Sequence, residues 1–419
     1  MGVPEIMENE NLEIVDTSPR SSGRGYFFAG LTIGLLIALS VFFIMATRLN
    51  EYKKAGGDII DLATIRKMAL ISDVIDNHFY PYNEDQDTSL ENRRTGMYKG
   101  MVYALNDVYA DYYTAEELKE ALADSKGVYY GIGAYISFDE KRNYPVFSGV
   151  MEGTPAEEAG IHAGDVIVEV DGESVYGYTS TETANVVRGE AGTVVHLKLF
   201  REGEDDYLEM DITRAEVASI SVGSKMLEND IGYIAISSFE LNSVDQFKKE
   251  YQELKDDGAK ALIVDLRSNP GGAVASVVEI LRQILPEGLI YYEENSAGVR
   301  REEYCDGANE IQIPLVVLVN QYSASAAEIF AGAVRDYEIG TLVGIKTYGK
   351  GIVQDTIPLS DGSAVKLTSS SYFSPKGYNF QGIGIEPDVE VEFDSKKYYD
   401  KGEDTQLNKA VEVIKEKIK

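Results

Sequence analysis

Three histidines, one cysteine and no tryptophan occur in 419 residues. His78, His162 and His196 all lie in the first half of the chain, so a hydroxyl nucleophile in the second half has no imidazole near it in sequence. The lone Cys305 excludes an internal disulfide, and a Cys-His pair has no support in its half of the chain. No cluster of His, Cys and acidic residues has metal-ligand spacing and no His-Glu-x-x-His motif is present, so neither a metal nor any other cofactor is implied. Positive charge is scarce: 39 Lys and Arg stand against 70 Asp and Glu, a net charge of −31. Such an excess opposes phosphate backbones, and nucleic acid is not an expected partner.

Charge of either sign is missing from Tyr26 to Ala46, a run about as long as the ~20 residues a helix needs to cross a bilayer. Arg20 and Arg24 precede it and Arg48, Lys53 and Lys54 follow, so counting positive charges leaves its orientation open. A cleaved signal peptide is the rival reading. The run exceeds the roughly 7–15-residue core of such a peptide, and no clear small-x-small site precedes Arg48. A buried soluble helix is a weaker rival. The expectation is an uncleaved single-pass anchor over 26–46, with residues 1–25 as a cytoplasmic tail and the acidic bulk outside the cell membrane.

The length predicts two or three domains. Residues 58–124 read mainly as helix. Apolar residues recur at three- and four-residue steps in Ile60, Ala63, Ile65, Met68 and Ile71, then in Met97, Met101, Ala104 and Val108. The Pro81–Asp87 run between them is a loop, His78 sits at a helix end, and Thr114-x-x-Glu117 has the form of a capping box. In 125–215, Gly131-Ile132-Gly133-Ala134 leads into strand-like residues and lacks the third glycine of a dinucleotide loop. Pro155 opens a short helix, Gly160 and Gly164 end it, and Val166, Val168 and Val170 alternate as a buried strand. His162 reads as a surface residue. This region resembles a PDZ domain, a β-rich fold with two helices. The resemblance implies that the backbone of Gly131, Ile132, Gly133 and Ala134 receives a chain-terminal carboxylate while the ligand adds as a strand. Residues 217–395 alternate strands (231–236, 261–267, 315–320) with helices (243–254, 274–284), an α/β pattern, and a charged helix closes the chain at 403–419.

Within the α/β region stand Asn320-Gln-Tyr-Ser-Ala-Ser325-Ala-Ala-Glu328 and Thr347-Tyr-Gly-Lys350-Gly-Ile-Val-Gln354. A serine hydroxyl is a poor nucleophile until a base takes its proton. With no histidine at hand a lysine amine is the candidate, in a Ser-Lys variant of the serine-histidine-acid arrangement. Lysine serves only when neutral, so its ordinary pKa of about 10.4 must be lowered by burial or nearby positive charge. The flanks of Lys350 carry no acid, which suits a desolvated amine, and Gln354 stands where it can orient that amine. A tetrahedral intermediate needs two donors. The Ala326 N–H is one candidate, and Asn269-Pro-Gly271-Gly272 supplies the other. Two blander readings compete: Ser323 and Ser325 as helix caps, and Gly344 to Lys350 as the start of a P-loop, although Gly351 stands where that motif requires Ser or Thr. Asp265 and Arg267 read as a structural pair at a strand end as readily as a catalytic one. Arg188 is a candidate link between the PDZ-like region and the core.

Both motif halves resemble those of the C-terminal processing peptidases, also called tail-specific or carboxy-terminal proteases, whose core reads Ser-Ala-Ser-Ala-Ser-Glu and then Thr-Phe-Gly-Lys-Gly-x-Val-Gln. Here Ala327 replaces the third serine and Tyr348 the phenylalanine, and the likeness extends over about residues 60–395. The resemblance implies Ser325 as nucleophile, Lys350 as general base, Gln354 as the third member and an oxyanion donor at the Pro-Gly-Gly, with Gly271 favoured over Gly272. It further implies a membrane-anchored extracytoplasmic serine endopeptidase acting on unfolded or flexible proteins with free C-termini, gated by its PDZ domain, with helices that pair two copies. The rival from another class is a catalytically inactive membrane-bound PDZ adaptor, for which Ala327 is the only local hint.

Overall fold

The computed structural model describes residues 60–83 and 86–418, and the anchor expected at 26–46 lies outside the described residues. Residues 1–89 and 90–419 are separate units. The first contributes the helix Leu62–His78, whose N-terminus is capped by Asp61 accepting the Thr64 N–H at 2.6 Å. Its apolar residues Ile65, Met68, Ile71 and Val74 are all exposed.

The second unit opens with the helices Leu90–Tyr103 and Ala115–Lys126. The capping box at Thr114 is formed: Glu117 N–H donates to the Thr114 hydroxyl at 3.2 Å, and the Glu117 carboxylate accepts Thr114 N–H at 2.8 Å. Between the helices, where the sequence reads as helix, lies a strand, Asp111–Tyr113. Asn106 turns the chain out of the helix at φ 54°, and the following aromatic pair fits a pleated, half-buried surface better than a helix face. The strand pairs antiparallel with Ala364–Phe373, Asp111 opposite Lys366.

The PDZ-like region is a sheet in the order Ala134–Asp139, Tyr144–Val150, Val166–Val170, Val194–Phe200, Leu208–Thr213, packed on the helices Pro155–Glu158 and Ser180–Val187. Phe147, Ile167, Leu197 and Leu199 fill its core. The alternation expected over 166–170 is interrupted. A register shift between Ile167 and Glu169 against the neighbouring strand turns Ile167 fully inward and leaves Val168 half-buried. The strands Val128–Gly131 and Ala215–Ala218, which lead into and out of this region, pair as a two-stranded ribbon. Asn242 fastens the base of that ribbon to the core, its Nδ2 donating to the carbonyls of Gly127 at 2.7 Å and Ser219 at 3.1 Å.

The α/β core is a six-stranded sheet in the order Val222–Leu227, Ile231–Ile236, Ala261–Asp265, Leu315–Val319, Gly340–Gly344, Val389–Glu390, with only the first pair antiparallel. The strands 261–265 and 315–319 are apolar and buried throughout, as a sheet covered on both faces requires. One face carries the helices Ser243–Asp256, Val274–Leu281 and Ala326–Tyr337; Ala410 and Ile414 of the helix Thr405–Lys415 cover the other. Arg267 ties that last helix down. It grips Asp265 with Nε and Nη2, at 2.6 Å for the shortest bond, and reaches Asp404 at 3.0 Å and Gln406 at 3.2 Å, so its pairing is structural. A second, antiparallel sheet joins Gly288–Asn295, Arg300–Cys305, Ile352–Pro358 and Ala364–Phe373 to Asp111–Tyr113.

Candidate active site

The parallel strands 261–265, 315–319 and 340–344 lie side by side, and the Pro-Gly-Gly turn, the Ser325 loop and the Lys350 loop leave from their respective carboxyl ends, where open α/β sheets place ligands. Ser323 is spent on structure: its hydroxyl donates to the Leu266 carbonyl at 2.7 Å and accepts Asn320 N–H at 2.9 Å. Ser325 precedes the helix Ala326–Tyr337 at φ 56°, ψ −116°, far from the extended backbone of an ordinary N-cap. A non-glycine residue held there costs of order 1–3 kcal/mol, and such strain collects where a nucleophile must be presented at a strand-to-helix turn. Capping alone does not account for it.

Glu328, one turn into the same helix, is completely buried and joins the two motif halves. Its Oε2 accepts Ser325 N–H at 3.0 Å and Lys350 N–H at 2.8 Å, while Oε1 accepts the Thr347 hydroxyl at 2.6 Å and Gly349 N–H at 2.7 Å. Burial raises the pKa of this carboxyl and these four donors oppose the shift, so the carboxylate form is what satisfies all of them. The Ser-x-x-Glu spacing of a capping box is the only signal in the sequence for Glu328, and it carries no hint of the link to Lys350.

Lys350 lies in a loop between the strands Gly340–Gly344 and Ile352–Pro358, not at the start of a helix, which removes the P-loop reading. Burial, and after it the charge of Lys366, lowers the pKa of the amine, with Asp107 opposing. Its Nζ sits 4.5 Å from the centroid of the Tyr109 ring. The Ser325 hydroxyl lies within hydrogen-bonding reach of the buried Tyr372 hydroxyl, which also donates to the Lys350 carbonyl. Ser325 Oγ and Lys350 Nζ are thus in adjoining loops but share no hydrogen bond in this arrangement. Gln354 is in the neighbourhood without touching the amine: its Nε2 is 3.4 Å from both the Ile352 carbonyl and the Thr368 hydroxyl.

The Pro-Gly-Gly turn packs directly on the nucleophile. A Cβ on Gly271 would stand 2.7 Å from Ser325 Cβ and 3.0 Å from the Ala326 nitrogen, so only glycine fits. Gly271 N–H, however, is bound at 2.8 Å to the side chain of the buried Asn269. The Gly271 carbonyl accepts Phe239 N–H at 2.8 Å. Across a trans peptide the Gly272 N–H therefore points away from Phe239. Gly272, rather than the favoured Gly271, has the uncommitted donor, and Ala326 follows the nucleophile at the helix start.

Gly131, Ile132, Gly133 and Ala134 all line a groove of about 430 Å³ between the edge strand Ala134–Asp139 and the helix Ser180–Val187. Arg188 lines the same groove, its guanidinium 5.3 Å from the Tyr129 ring centroid. Among the described residues no cluster of His, Cys, Asp and Glu is arranged to hold a metal.

The sequence matches the model of peptidase family S41 over residues 230–391 and a PDZ-domain model over 146–201. A probable CtpA-like serine protease of Staphylococcus aureus (strain MSSA476) is 30% identical over 397 residues, which span 94% of this chain and 78% of that protein. One of Staphylococcus haemolyticus (strain JCSC1435) is 30% identical over 409 residues, 95% of this chain and 80% of that one. Among solved structures, the photosystem II D1 C-terminal processing protease is 30% identical and aligns over 74% of this chain and 84% of its own, with a TM-score of 0.45.

Proposed function

We propose, from the premise that the chain belongs to peptidase family S41 and is a C-terminal processing-type serine protease with a PDZ domain, that Ser325 and Lys350 carry out its chemistry. The observation that carries the reading is the single buried carboxylate of Glu328, whose Oε2 accepts the backbone N–H of both residues, at 3.0 and 2.8 Å. A structural cap has no reason to be locked to a desolvated lysine 25 positions away in sequence.

In the proposed reaction, Ser325 Oγ attacks the scissile carbonyl and its proton passes to the neutral Lys350 amine. The N–H groups of Ala326 and Gly272 receive the oxyanion. The Lys350 ammonium then gives the proton to the departing amine, leaving an acyl-enzyme. Water, deprotonated by the same amine, hydrolyses that ester and regenerates Ser325. Gln354 acts on this machinery indirectly, through Thr368. The PDZ groove senses or recruits a free C-terminus by strand addition, so substrates are unfolded or flexible proteins. The uncharged run 26–46 supports a single-pass anchor, the resemblance to C-terminal processing peptidases supports placing the catalytic part outside the cytoplasm, and the exposed apolar face of Leu62–His78 supports pairing with a second copy.

The test uses the full-length protein with a fluorescein-labelled unfolded casein, in EDTA. Wild type should cleave it, and Ser325→Ala and Lys350→Ala should each lose on the order of 10³-fold or more in rate. Turnover surviving in both variants overturns the assignment. The inactive-adaptor alternative gains ground only if wild type fails to cut even with saturating C-terminal peptide.

A further inference from the structure

The segment between the helix Leu90–Tyr103 and the strand Asp111–Tyr113 is separated from Lys350 by the whole PDZ domain in sequence, yet it meets the lysine in space. Lys350 Nζ lies over the Tyr109 ring, 4.5 Å from its centroid. We propose that Tyr109, anchored by Asp107, is a positioning residue whose ring seats the Lys350 amine beside Ser325, so that residues ahead of the PDZ domain complete the active centre. This rests on the Ser325-Lys350 reading above.

The seat is built from both ends. Asp107 accepts Tyr109 N–H at 2.9 Å and lies within hydrogen-bonding reach of Thr368, the residue opposite Gln354 in the catalytic sheet. The Tyr109 hydroxyl lies close enough to that of Tyr348, two residues before the lysine, for the two to interact. Directly after the seat, Asp111–Tyr113 is zipped onto Ala364–Phe373. The segment is therefore fixed to both the Lys350 loop and the long strand Ala364–Phe373. Burial, then the Tyr348 hydroxyl, pushes the Tyr109 phenol up to about 12, so it meets the amine as a neutral ring and not as a phenolate.

A lysine side chain otherwise loses about 1.5–2 kcal/mol of rotamer freedom when it is held in one place. An aromatic face attracts the ammonium more than the amine hydrogens, but it also keeps water off that side of the nitrogen, and burial is the largest influence on this lysine. The charged groups acting on the amine are Lys366 from the long strand and Asp107 from this segment, beside the Tyr109 ring, and around that ring stand Tyr348 from the lysine's own loop, Tyr372 from the long strand and Glu328 from the nucleophile helix. Removing the ring admits water to the amine, which favours the ammonium and moves the rising limb of the pH profile upward.

The experiment measures cleavage of labelled unfolded casein by the full-length protein between pH 6 and 10, comparing wild type with Tyr109→Phe, Tyr109→Leu, Tyr109→Ala, Asp107→Asn and Lys350→Ala. Tyr109→Phe keeps the ring and should retain kcat within about threefold. Tyr109→Ala should lose roughly 10- to 100-fold in kcat with KM within about twofold, the cost of a misplaced catalytic group, and its rising limb should lie at higher pH. Asp107→Asn should fall between them. Tyr109→Leu keeps apolar bulk without a ring, so it reads the same loss if the alanine variant does not fold. Wild-type kcat in Tyr109→Leu, equal losses in Phe and Leu, or a loss confined to KM would overturn the seat. Activity surviving in Lys350→Ala would instead sink the general-base assignment on which the seat depends.

Discussion

The PDZ groove and the catalytic centre aim backbone donors by the same device. In the PDZ loop the Ile132 carbonyl is held by Ala156 N–H at 2.8 Å and the Gly133 carbonyl by Met151 N–H at 2.9 Å, so the N–H groups of Gly133 and Ala134 are turned the other way, toward the open edge. In the core the Gly271 carbonyl is held by Phe239, and the Gly272 N–H is turned away in the same fashion. The two regions differ in what stands beside the donors. The groove offers a free strand edge and a largely apolar lining, so on the proposed reading main-chain pairing would do most of the recognition. The candidate catalytic centre joins a wholly buried carboxylate, the backbone of a half-buried lysine and that of a strained serine in one hydrogen-bond network. Loss of a side chain should be tolerated in the first region and not in the second.

Glu328→Gln breaks that comparison on its sensitive side and should have the largest effect. A carboxamide supplies one acceptor oxygen, so two of the four donors now held by Glu328 lose their partner, at about 1.5–3 kcal/mol for each hydrogen bond to a charged group. The expected result is a fall of roughly 10²-fold in kcat, with KM and the affinity for a C-terminal peptide little changed. Steady-state kinetics and peptide titration would check it, and a loss located in KM would show that Glu328 serves substrate binding instead.

On the tolerant side, Gly133→Ala should have a middling effect. Gly133 has φ 81°, and a Cβ there would stand 2.3 Å from Thr154 Cβ, so the loop must shift and its donors lose their aim. Peptide affinity should fall about tenfold, along with any stimulation of cleavage by peptide, while peptide-free turnover stays at the wild-type level. Equal losses in binding and basal turnover would mean that the groove and the catalytic centre are one mechanical unit.

Much of this contrast was legible in the sequence because both sites rest on short, contiguous motifs. Ser325, Lys350, the Pro-Gly-Gly turn and the Gly131–Ala134 loop each announce themselves by residue type and spacing, and the buried strands at 261–265 and 315–319 read as unbroken apolar runs. The unread parts depend on contacts between distant segments. Nothing local marks Tyr109 as a neighbour of Lys350, since the Asp111–Tyr113 strand that brings it there has its partner more than two hundred residues on and sits in a stretch of helical periodicity. Which of Gly271 and Gly272 keeps a free N–H depends on which one the Asn269 side chain takes, a matter of geometry that spacing does not encode. Ile167 and Val168 exchanged places for a related reason, because a bulge is set by the partner strand.

The smallest expected effect sharpens the comparison through stability rather than rate. Burial depresses the pKa of Lys350 in the folded protein, so folding disfavours its charged form. The sign follows from linkage. A depressed group contributes stability above its unfolded pKa of about 10.4 and loses that contribution as pH falls through the folded value, so at neutral pH the lysine is a burden on the fold. Lys350→Met keeps the length and apolar stem and removes the ionisable end. It should abolish cleavage while melting a few degrees higher than wild type at pH 7, at about 2–4 °C per kcal/mol for a domain of this size. The gain should shrink as pH rises to 10.5, where about half of the unfolded lysine is also neutral. Thermal melts of both proteins at the two pH values decide it. A variant that melts lower at pH 7 would mean that the amine is held mainly by favourable contacts such as the Tyr109 ring, and that the catalytic centre stores less strain than its buried lysine implies.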